Sequence, residues 1–227
     1  MACEKGQEPS QQRWTGRHFL PEQERIFAHQ QANPAAYLHS NPGQYAYIHF
    51  VAHGTASRLS PLDSAIVLSK GSAEEDSFKL YARDIVRHPL RADLVTISAC
   101  YSAGERSYPG EGLVGLSWAF LRAGAHNVIA ALWDVTDAST ELLMDSFYEE
   151  INRGANPETA LRAAKLSLLR DTEFRSPFYW APFQLYARLD KSSRASVGQT
   201  SSSKSGIAAE SGRSSSAMRT ANPRSPL

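Results

Sequence analysis

Cys100 and His53 are the two residues whose types and setting could break a bond together. A thiolate is a strong nucleophile, but a free thiol, with a pKa of about 8.5, is mostly protonated at neutral pH. An imidazole within reach takes the thiol proton and later returns one to a leaving amine. Both residues follow apolar runs and are followed by a glycine. Residues 45–52 lead into His53-Gly54, and Leu94-Val95-Thr96-Ile97 leads through Ser98-Ala99 to Cys100 and on to Gly104. Such runs read as buried strands. Side chains delivered at the carboxyl ends of neighbouring parallel strands meet at one edge of the sheet, where sites assemble in open α/β folds. Singly, each has a plainer reading: a free cysteine is usually a small core hydrophobe, and a histidine at a strand end is usually just hydrogen-bonded. Their joint placement is what suggests chemistry.

The pair needs a scaffold of alternating strands and helices, because parallel neighbours require crossovers. Asn33-Pro34 reads as an N-cap and first helical position, and Asn41-Pro42-Gly43 ends that short helix before the first strand. After His53-Gly54 a polar loop is expected. A hairpin then pairs residues 64–69 with 77–81 across the Gly-, Ser- and acid-rich stretch 70–76. Residues 82–86 form a short helix, halted by His88-Pro89, and the strand before Cys100 follows. Gly110-Glu111-Gly112 opens a helix with Leu113, Leu116, Phe120 and Leu121 at helical spacing, ended by Gly124. Residues 127–133 are the next buried strand. Asp137 is the expected N-cap of a helix that turns Leu143, Phe147 and Ile151 inward and stops at Gly154. Asn156-Pro157 caps another, with Ala160, Leu161, Ala164 and Leu168 inward. Residues 183–187 make the last strand, and Pro182 suits a sheet edge. The alternation implies a three-layer α/β/α sandwich with a mostly parallel central sheet.

The spacing of 47 residues from His53 to Cys100 is close to the roughly 50 that separate histidine from cysteine in caspases. Four stretches extend that likeness. Tyr47-Ile48-His49-Phe50-Val51-Ala52-His53-Gly54, Ser98-Ala99-Cys100-Tyr101-Ser102-Ala103-Gly104, Gly110-Glu111-Gly112-Leu113-Val114-Gly115-Leu116 and Val128-Ile129-Ala130-Ala131-Leu132-Trp133-Asp134-Val135-Thr136-Asp137 together resemble the CHAT family. That is a caspase-like group of cysteine peptidases related to separase, and the resemblance runs from about residue 32 to 187. It implies a caspase-like fold, Cys100 as nucleophile and His53 as general acid/base, with no third residue required. Backbone N–H groups of Gly54 and Cys100 are the expected oxyanion donors, since glycine permits close backbone approach. In separase-like relatives an acid after the tryptophan-bearing strand reads a basic substrate side chain. Asp134, Asp137 and Glu141 occupy that neighbourhood. The plainer reading of Asp137 is its capping role, and that of Glu141 a first-turn acid complementing the helix dipole.

The organisation expected is a flexible lead-in over residues 1–30, a caspase-like domain over 31–190 and a disordered tail over 191–227. The tail holds twelve serines in 37 residues and almost no large apolar side chains, so it cannot repay its ordering entropy. Family members carry further strands and a helix before the first strand. Residues 1–30 offer no such run, so the domain is expected to be shortened at its N-terminal side, through a clipped reading frame or with a partner supplying the missing layer. Six basic residues against one acid give the tail +5, within a total of +1. Nothing in that balance points to nucleic acid or to a membrane surface. Two cysteines cannot build a disulfide framework, and no leader or spanning run is visible. A cytoplasmic protein is expected. No cofactor or metal is expected, and the partners are a protein or peptide substrate and a helical-repeat or activating protein.

Competing chemistries fit less well. Cys100 to Arg106 has the cysteine-x5-arginine spacing of phosphatases, but Glu105 would face the dianion, and Ser107-Tyr108-Pro109-Gly110 interrupts the helix that should follow. Gly115-Leu116-Ser117-Trp118-Ala119 is near a serine-hydrolase elbow but falls inside a helix. His49 and His53 would be roughly 13 Å apart on a strand, too far for one zinc ion, so His49 should pack or hydrogen-bond in the sheet. The alternative from another class is a catalytically silent caspase-like scaffold, held by packing alone.

Overall fold

The computed structural model describes residues 25–55, 57, 59–71, 77–98, 111–133 and 135–188. Residues 1–24, 99–110 (which include Cys100), Asp134 and the tail from residue 189 lie outside the described residues.

Among the described residues, seven strands and six α-helices follow one another: α1 Pro34–His39, β1 Tyr47–Val51, β2 His53–Thr55, β3 Ala65–Val67, β4 Lys79–Tyr81, α2 Ala82–Arg87, β5 Leu94–Ser98, α3 Glu111–Ala123, β6 Asn127–Ala131, α4 Asp137–Asn152, α5 Pro157–Arg170, α6 Pro177–Trp180 and β7 Phe183–Ala187. The main sheet has the order β1-β5-β6-β7. Its first three strands are parallel and β7 is antiparallel to β6. The expected hairpin forms as β3 against β4.

β5 is buried along its whole length, as its run of small and β-branched residues requires. Its alternation divides the core in two. Val95 and Ile97 join Phe50, Val128 and Ala130 on one face, covered by Ile85 of α2 and Leu116 and Phe120 of α3. Leu94 joins Ile129, Ala131 and Phe183 on the other, covered by Leu143 and Phe147 of α4 and Leu161 and Leu168 of α5. Helices on both faces of a mostly parallel sheet make the caspase-like α/β/α sandwich that the sequence implied.

Three local expectations need correction. The polar loop expected after His53-Gly54 does not start there: His53, Gly54 and Thr55 form a second strand, β2, and pair antiparallel with β3. The cap of α4 is Thr136, whose Oγ1 accepts from Ser139 N at 3.3 Å, so Asp137 is the first helical residue. Glu141 consequently lies in the second turn, beyond the first-turn position that best complements the helix dipole.

Gly124 ends α3 with φ +126°, and a Cβ built there would lie 2.3 Å from the Leu90 carbonyl oxygen. Gly154 ends α4 with φ +88° and open space around it. Thermal melts should therefore separate the two alanine variants. Gly154→Ala costs about 1 kcal/mol of backbone strain, whereas Gly124→Ala adds a clash and costs about 2 kcal/mol or more.

Candidate functional site

β1 and β5 are adjacent and parallel, with Tyr47 opposite Leu94 and Val51 opposite Ser98 in the last rung. His53 follows Val51 by two residues, and in sequence Cys100 follows Ser98 by two. Cys100 is itself outside the described residues, as is Asp134. His53 is exposed at the start of β2, and Gly54 beside it is buried. β2 thus carries the chain from the main sheet into the smaller one, whose order is β2-β3-β4.

The described candidate acids lie on α4, which follows the third parallel strand. Asp137 is exposed and Glu141 partly buried. Being four apart, they share one helix face, one turn above each other. Between β6 and α4, the Trp133 indole Nε1 donates to the Phe178 carbonyl of α6 at 3.0 Å. That bond ties the strand-end loop to the short helix before β7. Phe178 itself is exposed. The sequence reading passed over α6 because Pro177-Phe178-Tyr179-Trp180 is a single turn with no periodicity to detect.

Beneath the strand ends is a polar cluster that sequence reasoning only touched through His49. Its Nε2 lies 2.7 Å from Ser98 Oγ, and its Nδ1 lies 3.1 Å from the Tyr148 hydroxyl. The Tyr148 hydroxyl in turn lies 3.0 Å from Thr96 Oγ1. All four groups sit on the α4 side of the sheet. Hydroxyls at both ring nitrogens serve a neutral imidazole in either tautomer. Burial accordingly pushes the His49 pKa down from 6.5 to about 3. Burial also raises that of Tyr148, against the opposing pull of its hydrogen bond to Thr96. The signal in the sequence was parity: Thr96 and Ser98 put two hydroxyls on one face of an otherwise apolar central strand, beside a histidine on its neighbour.

No group of three or more His, Cys, Asp or Glu side chains able to hold a metal ion occurs among the described residues. No described helix is long and apolar enough to cross a membrane.

The model of the CHAT domain matches residues 10–188. The chain belongs to the CHAT domain family. The caspase-like character of that family agrees with the sheet order and two-faced helical cover described above. Among curated proteins, the chain is similar to tetratricopeptide repeat protein 28 of Mus musculus, at 34% identity over 106 residues. The Homo sapiens protein of the same name is 29% identical over 106 residues. In each case the match covers 47% of this chain and 4% of the relative. The CHAT chain thus spans only a small part of the length of those curated relatives.

Proposed function

We propose that this CHAT domain is a cysteine endopeptidase acting through Cys100 and His53. The observation that carries the reading is the parallel register of β1 and β5. Neighbouring strands lie about 4.8 Å apart, and in sequence each reactive residue follows its own strand's member of the Val51–Ser98 rung by two. An exposed imidazole at residue 53 suits a group that must reach a substrate.

In this mechanism His53 takes the Cys100 proton, and the thiolate sulfur attacks the scissile carbonyl carbon. The carbonyl π electrons move to oxygen, where the N–H groups of Gly54 and Cys100 receive them. The oxyanion collapses, the C–N bond breaks, and the His53 imidazolium protonates the departing amine. Water, deprotonated by the same imidazole, then hydrolyses the thioester and returns the thiol. Asp134, Asp137 and Glu141 form the acidic side of a pocket for a lysine or arginine before the scissile bond. The substrate is a protein or peptide, and the setting is the cytoplasm. The relatives named for tetratricopeptide repeats support a helical-repeat partner, in the same chain or as a separate protein.

A peptidyl electrophile with arginine at the first position tests the reading by mass-detected labelling. Covalent modification at Cys100 that disappears in both Cys100→Ala and His53→Ala is the expected result. Labelling undiminished by His53→Ala would reveal an exposed thiol and nothing more, and would leave the silent scaffold as the better description.

A further inference from the structure

The polar cluster under the strand ends joins three elements by three separate contacts. His49 to Ser98, at 2.7 Å, links β1 to β5. His49 to Tyr148, at 3.1 Å, links β1 to α4. Tyr148 to Thr96, at 3.0 Å, links α4 to β5. These are the elements that lead to His53, to Cys100 and to the acids Asp137 and Glu141. His49 precedes His53 by four residues on the same run, and Ser98 precedes Cys100 by two.

A purely apolar contact would hold these elements together without fixing how far each slides along the others. Hydrogen bonds fix it, because they weaken steeply with distance and angle. They are also costly to break here, since Tyr148 and Thr96 are almost wholly buried and would leave polar atoms unsatisfied. The His49 and Tyr148 rings are stacked with centroids 5.8 Å apart and planes inclined by 29°, which further limits the ring's swing. Ser98 lies in the last rung of the β1–β5 ladder and is itself buried, so its hydroxyl faces the neighbouring strand's histidine and not an incoming substrate.

We infer that His49, Ser98 and Tyr148 are positioning residues for the proposed dyad: their hydrogen bonds set the relative advance of β1, β5 and α4, and so the alignment of His53 with Cys100. The inference rests on the peptidase reading and adds a group of residues that never touch substrate. Proton transfer between thiol and imidazole tolerates little misalignment, and displacements of about 1 Å can cost about 100-fold in rate. Loss of one hydroxyl, with the surrounding packing intact, should cost about tenfold.

The test compares two reagents on the full chain. A peptidyl electrophile with arginine at its first position, used at neutral pH, requires an aligned imidazole, whereas iodoacetamide at about pH 10, where a thiol ionises without a neighbouring base, requires only a reachable sulfur. The ratio of their second-order rate constants at Cys100 is the readout. Tyr148→Phe keeps the ring and its edge contact with Phe147 while removing the hydroxyl. Ser98→Ala removes the other end, and Ser98→Thr restores a hydroxyl. The ratio should fall about tenfold in Tyr148→Phe and Ser98→Ala and recover in Ser98→Thr, with iodoacetamide rates within about twofold of wild type. A ratio equal to wild type in both hydroxyl-deletion variants overturns the inference. So does a loss shared equally by both reagents, which marks a general structural role. The parent reading fails in a different way: the wild-type rate with the peptidyl electrophile would be indifferent to His53→Ala.

Discussion

Cys100→Ala and His53→Ala should each lower kcat/KM for an arginine-containing peptide by at least about 1,000-fold, and the double variant should be no worse than the more severe single one. The reasoning follows from the division of labour. Without sulfur no thioester forms, and water must attack directly from whatever position the cleft allows. Without the imidazole the thiol keeps its proton at neutral pH, and the departing amine lacks its donor. Either deletion removes the same transition state, so the second has nothing left to remove. Additive losses would mean that the residues act in separate steps, and the proposed mechanism would fail. Steady-state hydrolysis of a fluorogenic peptide measures this directly, with circular dichroism to establish that each variant is folded. His53 is exposed and has no place in the apolar core, so its loss should leave the melting temperature nearly unchanged. The contrast between a large kinetic effect and a small thermal one distinguishes a group that works from one that only packs.

The architecture was legible because its strongest signals are local. β5 is an uninterrupted buried run, and the inward positions of α4 and α5 recur at helical spacing, so Leu143, Phe147, Leu161 and Leu168 could be read as core and are buried. Asn156 caps α5 as expected, its Oδ1 accepting from Thr159 N at 2.8 Å. The misreadings have equally local causes. His53-Gly54-Thr55 is three residues long and contains glycine, so nothing in its composition announces β2; its pairing is dictated by β3, ten or more residues away. At the start of α4, Thr136 and Asp137 are adjacent residues that can both cap, and only the backbone decides. Thr136 is extended, with φ −71° and ψ 149°, and Asp137 is already helical. The candidate site was legible in part. Sequence named the strand ends, and the register of β1 on β5 brings the last described rungs before them into line. The cluster beneath was hidden because a hydrogen bond between His49 and Tyr148 joins residues 99 apart, a separation that no periodicity can report.

That cluster should also make the fold sensitive to mild acid. His49 is held neutral in the folded chain, with its pKa moved from 6.5 to about 3 by burial. In the unfolded chain it titrates at its ordinary value. Above about pH 6.5 both states hold the neutral ring, and its contribution to stability is complete. As pH falls below that value the unfolded state takes up a proton that the folded state refuses, so stability is lost progressively until about pH 3. Below that both states are protonated and the dependence ends. At about 1.4 kcal/mol per unit, the loss between about pH 7 and about pH 4 is about 3 kcal/mol. Denaturant unfolding at several pH values measures the total slope, to which carboxylates also contribute. His49→Gln isolates the histidine: glutamine offers a donor and an acceptor but cannot ionise in this range. The variant should be less stable than wild type at neutral pH, because its shape differs from the ring it replaces. Its stability should nevertheless fall by about 3 kcal/mol less on going to about pH 4. Parallel curves for the two proteins would mean that His49 gains its proton without cost, and that the hydroxyls around it adapt to the imidazolium as readily as to the neutral ring.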